Sequence, residues 1–295
     1  MAFLLAAMTT TATLSLPENE AVAMMAALSA DPLLGERTVD ASEVAPGRWE
    51  VIVYFDEAPD AAERAALSRL GSFAISELPD TDWVAKSLAG LRPVRAGRFL
   101  VHGRHDRGQV LPNDIGIEIE AGQAFGTGHH GTTAGCLLAI AALAGKRPIR
   151  NALDLGTGSG VLAIALAKRA KARVLASDID PVATSVAGEN VRLNGVAAYV
   201  RTLTAAGLNG RAFTDAAPFD LVVANILAGP LAALAPAIRR VTAPGGTVIL
   251  SGLLPAQRAR ILATYRITGL TLVGAMSIEG WLTLTLRRAT RGKRG

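Results

Sequence analysis

A glycine-rich turn between two apolar runs constrains the fold of this chain more than any other feature. The segment LDLGTGSG, residues 153–160, begins in a strand-like run and leads into a helix-like run. Gly156, Gly158 and Gly160 let the backbone turn sharply, and a ligand can approach closer than a Cβ atom would permit. Asp178 ends the next strand-like run, where its carboxylate can accept hydrogen bonds from both hydroxyls of a ribose. The unit predicts a site for a nucleoside-containing cofactor.

The spacing of these glycines distinguishes between cofactors. A dinucleotide fingerprint, G-x-G-x-x-G or G-x-G-x-x-A, needs a small residue at position 161, where this chain has Val161. Residues 154–160 instead match the pattern D-x-G-x-G-x-G in full. That pattern resembles the class I methyltransferases that use S-adenosyl-L-methionine (SAM), in which no pyrophosphate has to be bound. A SAM site is the favoured interpretation, and a dinucleotide site and a purely structural glycine turn are the alternatives.

Strand-like and helix-like runs alternate from residue 151 to residue 288. This alternation predicts an α/β domain with a doubly wound, mostly parallel sheet and helices on both faces. The resemblance to class I methyltransferases implies seven strands and a Rossmann-like arrangement. Ligands of such sheets bind at the carboxyl ends of the strands.

The first eighty residues show a different order of runs, namely strand, helix, strand, strand, helix, strand. This is the split βαβ order of ferredoxin-like domains. The segment contains no cluster of candidate catalytic side chains, so we interpret it as a binding module. The predicted organisation is a small ferredoxin-like α+β domain over residues 1–80, a linker over 81–94 and a catalytic domain over 95–295.

Asn225 ends the strand-like run VVAN, which we place directly after the strand of Asp178. It resembles the asparagine of amino-group methyltransferases, whose amide oxygen accepts an N–H and aims the nitrogen lone pair at the methyl carbon. The N-P-P-[YF] motif of base and glutamine methylases is absent, because the chain continues with Ile-Leu-Ala. This difference argues against a planar base or amide as the acceptor. The alternative role for Asn225 is that of a strand-end turn residue.

The segment AFGTGHHGTT, residues 124–133, contains two adjacent histidines, His129 and His130. A metal site would need three or four suitably spaced ligands, and the neighbouring residues do not supply them. A phosphate loop of the Walker type would need a lysine after its second glycine. We therefore predict no metal site. The remaining interpretation is a flexible glycine loop, up to and including Gly131, that enters a helix at Thr132 and Thr133.

Four segments together identify a more specific resemblance: AFGTGHHGTT, LDLGTGSGVLAIA, SDIDPVA and FDLVVANILAGPLAALAP. Their order and spacing are similar to those of the methyltransferases that modify protein L11 of the large ribosomal subunit, and the resemblance extends from about residue 11 to residue 287. It implies an N-terminal substrate-recognition domain followed by a SAM-dependent catalytic domain. The implied acceptors are lysine ε-amines, with the α-amine as a further candidate, and the implied product is trimethylated.

The same resemblance implies the cofactor-binding residues. The F-G-T-G loop and Thr133 would lie over SAM, and Gly156, Asp178 and Asn225 would contact it. The usual form of the loop is G-T-G-T-H-P-T-T, so His129 and Gly131 stand here where threonine and proline are common. The role of His129 is thus unassigned, and His130 has a helix-start hydrogen bond as its alternative role.

Composition excludes several classes of protein. Cys136 is the one cysteine in 295 residues, so no disulfide can form within the chain, which fits a reducing compartment. No run approaches the roughly 18 apolar residues of a membrane helix. We therefore predict a cytoplasmic protein without a membrane partner. The net charge is +5, but the basic segment 287–295 is interpreted as a solvated tail, and no direct nucleic-acid binding is predicted.

The predicted function is methylation of amines on the large-subunit ribosomal protein L11, with SAM as cofactor and Asn225 orienting the acceptor nitrogen. One alternative is another SAM-dependent N-methyltransferase, acting on a small amine or on rRNA. A second is a non-catalytic ribosome-assembly module that retains the fold. These alternatives differ in what becomes methylated, so they can be separated by experiment.

Overall fold

The computed structural model describes residues 10–35, 37–45, 47–55, 57–77, 93–119 and 130–290. The chain forms two compact units. Among the described residues, the first unit holds those up to 77 and the second holds those from 93 onward. The division of the chain into domains at 80 and 94 remains a prediction, because most of the predicted linker lies outside the described residues.

The first unit is a four-stranded antiparallel sheet with the strand order β2-β3-β1-β4. Its elements follow the predicted order: β1 (Thr10–Leu16), α1 (Glu18–Ala30), β2 (Thr38–Ala45), β3 (Arg48–Phe55), α2 (Ala61–Leu70) and β4 (Ala74–Glu77). Strands β1 and β3 bury apolar side chains, and Ala12, Val51 and Val53 are fully buried. Helix α2 begins with a capping box, in which Asp60 and Glu63 each accept the other's backbone N–H at 2.8 and 3.0 Å. The βαββαβ order expected for a ferredoxin-like domain is present.

A three-stranded sheet opens the second unit. It consists of β5 (Val94–Ala96), β6 (Phe99–His102) and β7 (Ile115–Glu118), with a 3-10 helix at Arg104–Gln109. The first two strands form a hairpin at Gly97, whose φ is +59°, and β7 lies parallel to β6. The sequence predicts β6 and β7 but not β5, whose first residue, Val94, is the last residue of the predicted linker.

The second unit is built on a seven-stranded sheet with the order β10-β9-β8-β11-β12-β14-β13, in which only β14 runs against the others. Its strands are β8 (Asn151–Leu155), β9 (Arg173–Asp178), β10 (Val200–Thr204), β11 (Phe219–Asn225), β12 (Thr242–Leu253), β13 (Leu270–Ile278) and β14 (Trp281–Arg288). Its helices are α3 (His130–Ala144), α4 (Val161–Ala170), α5 (Pro181–Leu193), α6 (Arg211–Ala216), α7 (Ala228–Val241) and α8 (Arg258–Ile267). The doubly wound, seven-stranded α/β prediction is confirmed.

Helices cover both faces of this sheet and produce two apolar cores. On one face, α3 and α4 bury side chains such as Cys136, Leu137 and Ile164. On the other face, α7 and α8 bury Leu231 and Tyr265 among others. Strand order reverses between β8 and β11, because the chain moves outward through β9 and β10 before it returns. This switch point opens a crevice at the carboxyl ends of β8, β9 and β11.

Strand β10 and helix α6, like strand β5, were not predicted, and one placement was wrong. Strand β10 and helix α6 lie between the strands of Asp178 and Asn225, so β11 does not directly follow β9 in the chain. In the sheet, β8 separates β9 from β11. The segment VRTLT of β10 gives only a weak apolar signal, because it is an edge strand with a single buried residue, Val200. Among the described residues, no helix combines the length and apolarity needed to cross a membrane.

Candidate cofactor and acceptor site

The glycine turn after β8 requires its glycines. Gly156, Gly158 and Gly160 have φ values of +73°, +53° and +86°, a region that other residues rarely adopt. The backbone nitrogens of Gly156 and Thr157 both donate to the carbonyl of Ser177 in β9, at 2.8 and 2.9 Å. A Cβ atom on Gly156 would lie 2.2 Å from Cγ2 of Ile226. The turn is therefore held against the ends of both neighbouring strands, β9 and β11.

Asp154, at the end of β8, holds this turn through hydrogen bonds of its carboxyl group. Its Oδ2 accepts hydrogen bonds from the Thr157 hydroxyl at 2.7 Å and from the backbone N–H of Ala163 in α4 at 2.9 Å. The carboxyl group is fully buried, and burial raises its pKa to about 6. The first residue of the D-x-G-x-G-x-G pattern thus ties the turn to the helix that follows it.

Asp178 stands at the end of β9, across from the turn. Its Oδ2 accepts the backbone N–H of Gly158 at 2.9 Å, and its Oδ1 accepts that of Asp180 at 3.1 Å. Each carboxylate oxygen can accept a second hydrogen bond, so the group can also accept those of vicinal hydroxyls. Asp180 in turn caps α5 by accepting from Val182 at 2.8 Å. The structure therefore brings Gly156, Gly158 and Asp178 together.

Asn225 ends β11 at the same edge of the sheet. It is partly buried, and its in-register neighbour on β12 is Ser251. Its Nδ2 donates to the hydroxyl of Thr132 in the first turn of α3, at 3.2 Å. The turn after Asn225 is packed closely, because a Cβ on Gly252 would lie 2.6 Å from the carbonyl oxygen of Ile226. Asn225 is thus held at the crevice by β12 and α3.

The start of α3 differs from the sequence prediction. The helix begins at His130, so Gly131 lies within it and is buried, whereas the prediction put Gly131 in a flexible loop before a helix start at Thr132. A Cβ on Gly131 would lie 2.5 Å from the carbonyl oxygen of Ile278. The glycine is needed for close packing on β13. The sequence around Gly131 does not reveal this contact, because glycine is also common in loops.

The two threonines at this helix start have different environments. Thr132 is 2% exposed and contacts Asn225, whereas Thr133 is partly buried. Sequence reasoning favoured Thr133 and gave Thr132 no separate role. His129, the F-G-T-G loop and the side chain of His130 lie outside the described residues. Their roles, and the contact of Thr133 with the cofactor, remain predictions.

Sequence reasoning also missed Ser251. Its hydroxyl donates to the carbonyl of Thr132 at 3.2 Å and shares a 2.9 Å hydrogen bond with Thr283 of β14. The signal that could have identified it is the pair Ser-Gly at the end of a buried strand, since Gly252 has a φ of +78°.

The donors and acceptors at this edge suit a nucleoside cofactor and an amine. The glycine turn leaves space that Cβ atoms would fill, and one carboxylate and one amide stand at the ends of β9 and β11, on either side of β8. Within the described part of the chain, no group of three or more His, Cys, Asp or Glu residues could hold a metal ion. Together with the strand order, these features define the chain as a class I SAM-dependent methyltransferase.

Comparisons with known proteins give the family. A family model described as "Ribosomal protein L11 methyltransferase (PrmA)" matches residues 7–289. A ribosomal protein L11 methyltransferase of Rhizobium leguminosarum bv. trifolii is 56% identical over 248 residues, covering 81% of this chain and 85% of the relative. That of Rhizobium meliloti is 48% identical over 280 residues, covering 92% and 96%. The chain therefore belongs to the ribosomal protein L11 methyltransferase family.

A solved structure agrees with this assignment. The crystal structure of the ribosomal protein L11 methylase from Lactobacillus delbrueckii subsp. bulgaricus has 30% sequence identity and a TM-score of 0.61. It covers 68% of this chain and 100% of the solved chain. The predicted family and the predicted enzyme class are confirmed.

Proposed function

We propose that this enzyme methylates amino groups of the large-subunit ribosomal protein L11, on lysine ε-amines and on the α-amine. The observation that carries the proposal is the amide of Asn225, which projects at the crevice beside the glycine turn with its Nδ2 bonded to Thr132. An amide oxygen in that place can accept an N–H from an amine. The names of the relatives support the protein substrate.

The predicted site residues divide the work of binding the cofactor and orienting the acceptor. Asp178 binds the ribose hydroxyls, and Gly156 and Gly158 let the backbone approach the cofactor. Thr133 covers the cofactor pocket, and Asn225 both orients the acceptor nitrogen and contacts SAM. SAM supplies a methyl group that is already activated by its positive sulfur.

The acceptor nitrogen needs a free lone pair, and the protein can favour its deprotonated form. A lysine ammonium has a reference pKa of about 10.4 and must lose a proton before it can attack. Desolvation beside a cationic group lowers that pKa. Asn225 would hold the nitrogen with its lone pair directed at the methyl group that bound SAM would supply. No general base is required, because the proton leaves to water before transfer.

The N-terminal unit recognises the protein substrate in this proposal, and residues 81–94 link it to the catalytic domain. Its ferredoxin-like sheet provides the surface that binds the substrate, and methyl transfer takes place in the second unit. We also propose a cytoplasmic location, where ribosomal protein and SAM are both available, and no direct contact with nucleic acid or membrane.

The intact mass of purified ribosomal protein L11 after incubation with the enzyme and SAM tests this function. We expect a mass increase in whole methyl increments, and none when SAM is omitted. A parallel reaction with labelled SAM and rRNA addresses the alternative substrate, and label on RNA alone would overturn the proposal. Unchanged methylation of L11 in cell extracts carrying Asn225→Ala and Asp178→Ala, by variants that still bind their partner, would instead favour a non-catalytic binding module.

A further inference from the structure

The amide of Asn225 has two possible orientations. One presents a hydrogen-bond acceptor to the crevice, and the other presents a donor. In the structure Nδ2 faces the Thr132 hydroxyl at 3.2 Å, so Oδ1 points to the other side. Among the described residues, no hydrogen bond to Oδ1 is present. If the amide were rotated by half a turn, Nδ2 would take the place of Oδ1. An N–H donor there would repel the N–H of a neutral amine or bind its lone pair, which is the group that has to attack.

Thr132 is itself held by the sheet. Its side chain is 2% exposed, and its carbonyl accepts the hydroxyl of Ser251, which is linked to Thr283. The helix can come this close because Gly135, one turn further on, has no side chain: a Cβ there would lie 2.2 Å from Oγ1 of Thr283. The position of the Thr132 hydroxyl is therefore set by β12 and β14.

We propose that Thr132 is a positioning residue that selects the catalytic orientation of the Asn225 amide. It engages Nδ2 and thereby turns Oδ1 toward the acceptor amine. This inference rests on the proposed function, since it assigns a role within the same site. It also gives the T-T pair two different tasks, with Thr132 directed to the acceptor side and Thr133 to the cofactor.

The variant Thr132→Val tests the proposal, because it replaces the hydroxyl by a methyl group of similar size. We expect kcat to fall about fivefold to tenfold, the effect of one lost hydrogen bond. The KM for SAM should stay unchanged. Thr132→Ser keeps the hydroxyl and should restore kcat. Thr264→Val is the matched control, because Thr264 is a partly buried helical threonine in α8 whose hydroxyl donates to the carbonyl of Arg260 in the same helix.

A double-mutant cycle with Asn225→Ala separates positioning from general stability. Thr132→Val should cause no further loss of rate once the amide is absent, as measured in single turnovers with excess enzyme. An equal loss in both backgrounds, a serine variant as slow as valine, or an unchanged kcat in Thr132→Val would each overturn the inference. Failure of the unaltered enzyme to methylate L11 would overturn the proposed function first, and this inference with it.

Discussion

The backbone nitrogen of Gly158 lies 2.9 Å from Oδ2 of Asp178, so the middle glycine of the turn and the acid of the next strand are joined by a hydrogen bond. A ligand that binds the carboxylate also contacts the turn. We expect Asp178→Ala to weaken SAM binding about 10-fold to 100-fold, since hydrogen bonds to a charged group contribute about 1.5–3 kcal/mol. Isothermal titration calorimetry measures this change.

Asp220 provides the matched control for that measurement. Its Oδ2 also accepts two backbone N–H groups, from Arg150 at 2.9 Å and Asn151 at 3.1 Å. It lies at the amino ends of β8 and β11, at the opposite edge of the sheet. Asp220→Ala should therefore leave the affinity for SAM unchanged. Equal losses of affinity in the two variants would argue against a ribose contact at Asp178.

Asn225→Asp should change the pH dependence of methylation. A carboxylate at this position stabilises the ammonium form of the acceptor and raises its pKa, so less neutral amine is present at a given pH. The rise of kcat with pH, which reports the ionisation of the bound acceptor, should then move to higher pH. Asn225→Ala adds no charge and should lower the rate without moving the profile. Identical midpoints for the aspartate variant and the unaltered enzyme would contradict this role for Asn225.

Asp154 should make the stability of the unliganded enzyme depend on pH. Because burial raises its pKa to about 6, the folded state holds a proton that the unfolded state has lost above pH about 4. This contribution to stability is fully present at low pH and is lost as the pH rises from about 4 to about 6. The loss amounts to about 3 kcal/mol at 1.36 kcal/mol per pH unit.

Urea unfolding of Asp154→Asn across this pH range tests that linkage. The neutral amide cannot titrate, so the difference in free energy of unfolding between variant and unaltered enzyme should change between pH about 4 and about 6. If plots of the free energy of unfolding against pH stay parallel for the two proteins, Asp154 does not titrate in this range.

Gly135→Ala should destabilise the second unit. A Cβ atom at this position would lie 2.2 Å from the Thr283 hydroxyl oxygen, so α3 or β14 would have to shift, at a cost of about 1–3 kcal/mol. Gly229 in α7 is the control, because a Cβ there meets no atom within 4 Å. Gly229→Ala should raise stability by about 0.4–1 kcal/mol. Thermal unfolding of both variants measures the contrast, and similar effects at the two sites would contradict the packing argument.

Local chemistry explains why much of this site could be predicted. The glycines of the turn after β8 and the acid at the end of β9 lie in one strand–turn–helix–strand unit, and their spacing requires a particular backbone. The alternation of strand-like and helix-like runs is also a local pattern, and it predicted a sheet with helices on both faces. Edge strand β10 was missed because its burial is too weak to produce a periodic signal.

Contacts between distant segments could not be predicted in this way. Thr132 and Asn225 are separated by 93 positions, and Thr132 and Ser251 by 119. The contacts of Gly131 and Gly135 are also of this kind. Their lack of a side chain matters only because α3 packs closely on β13 and β14 at these two positions. From the sequence, Gly131 suggested flexibility, whereas the fold uses it for close packing.

The sequence by itself determined the fold class and predicted both the nucleoside site and the amide that we propose orients the acceptor, because each depends on residue types at short, regular spacing. Only the tertiary structure decided which threonine of the T-T pair meets that amide. That choice depends on how closely α3 packs against β12, β13 and β14, a distance set by side chains from four elements and not by any one segment of the chain.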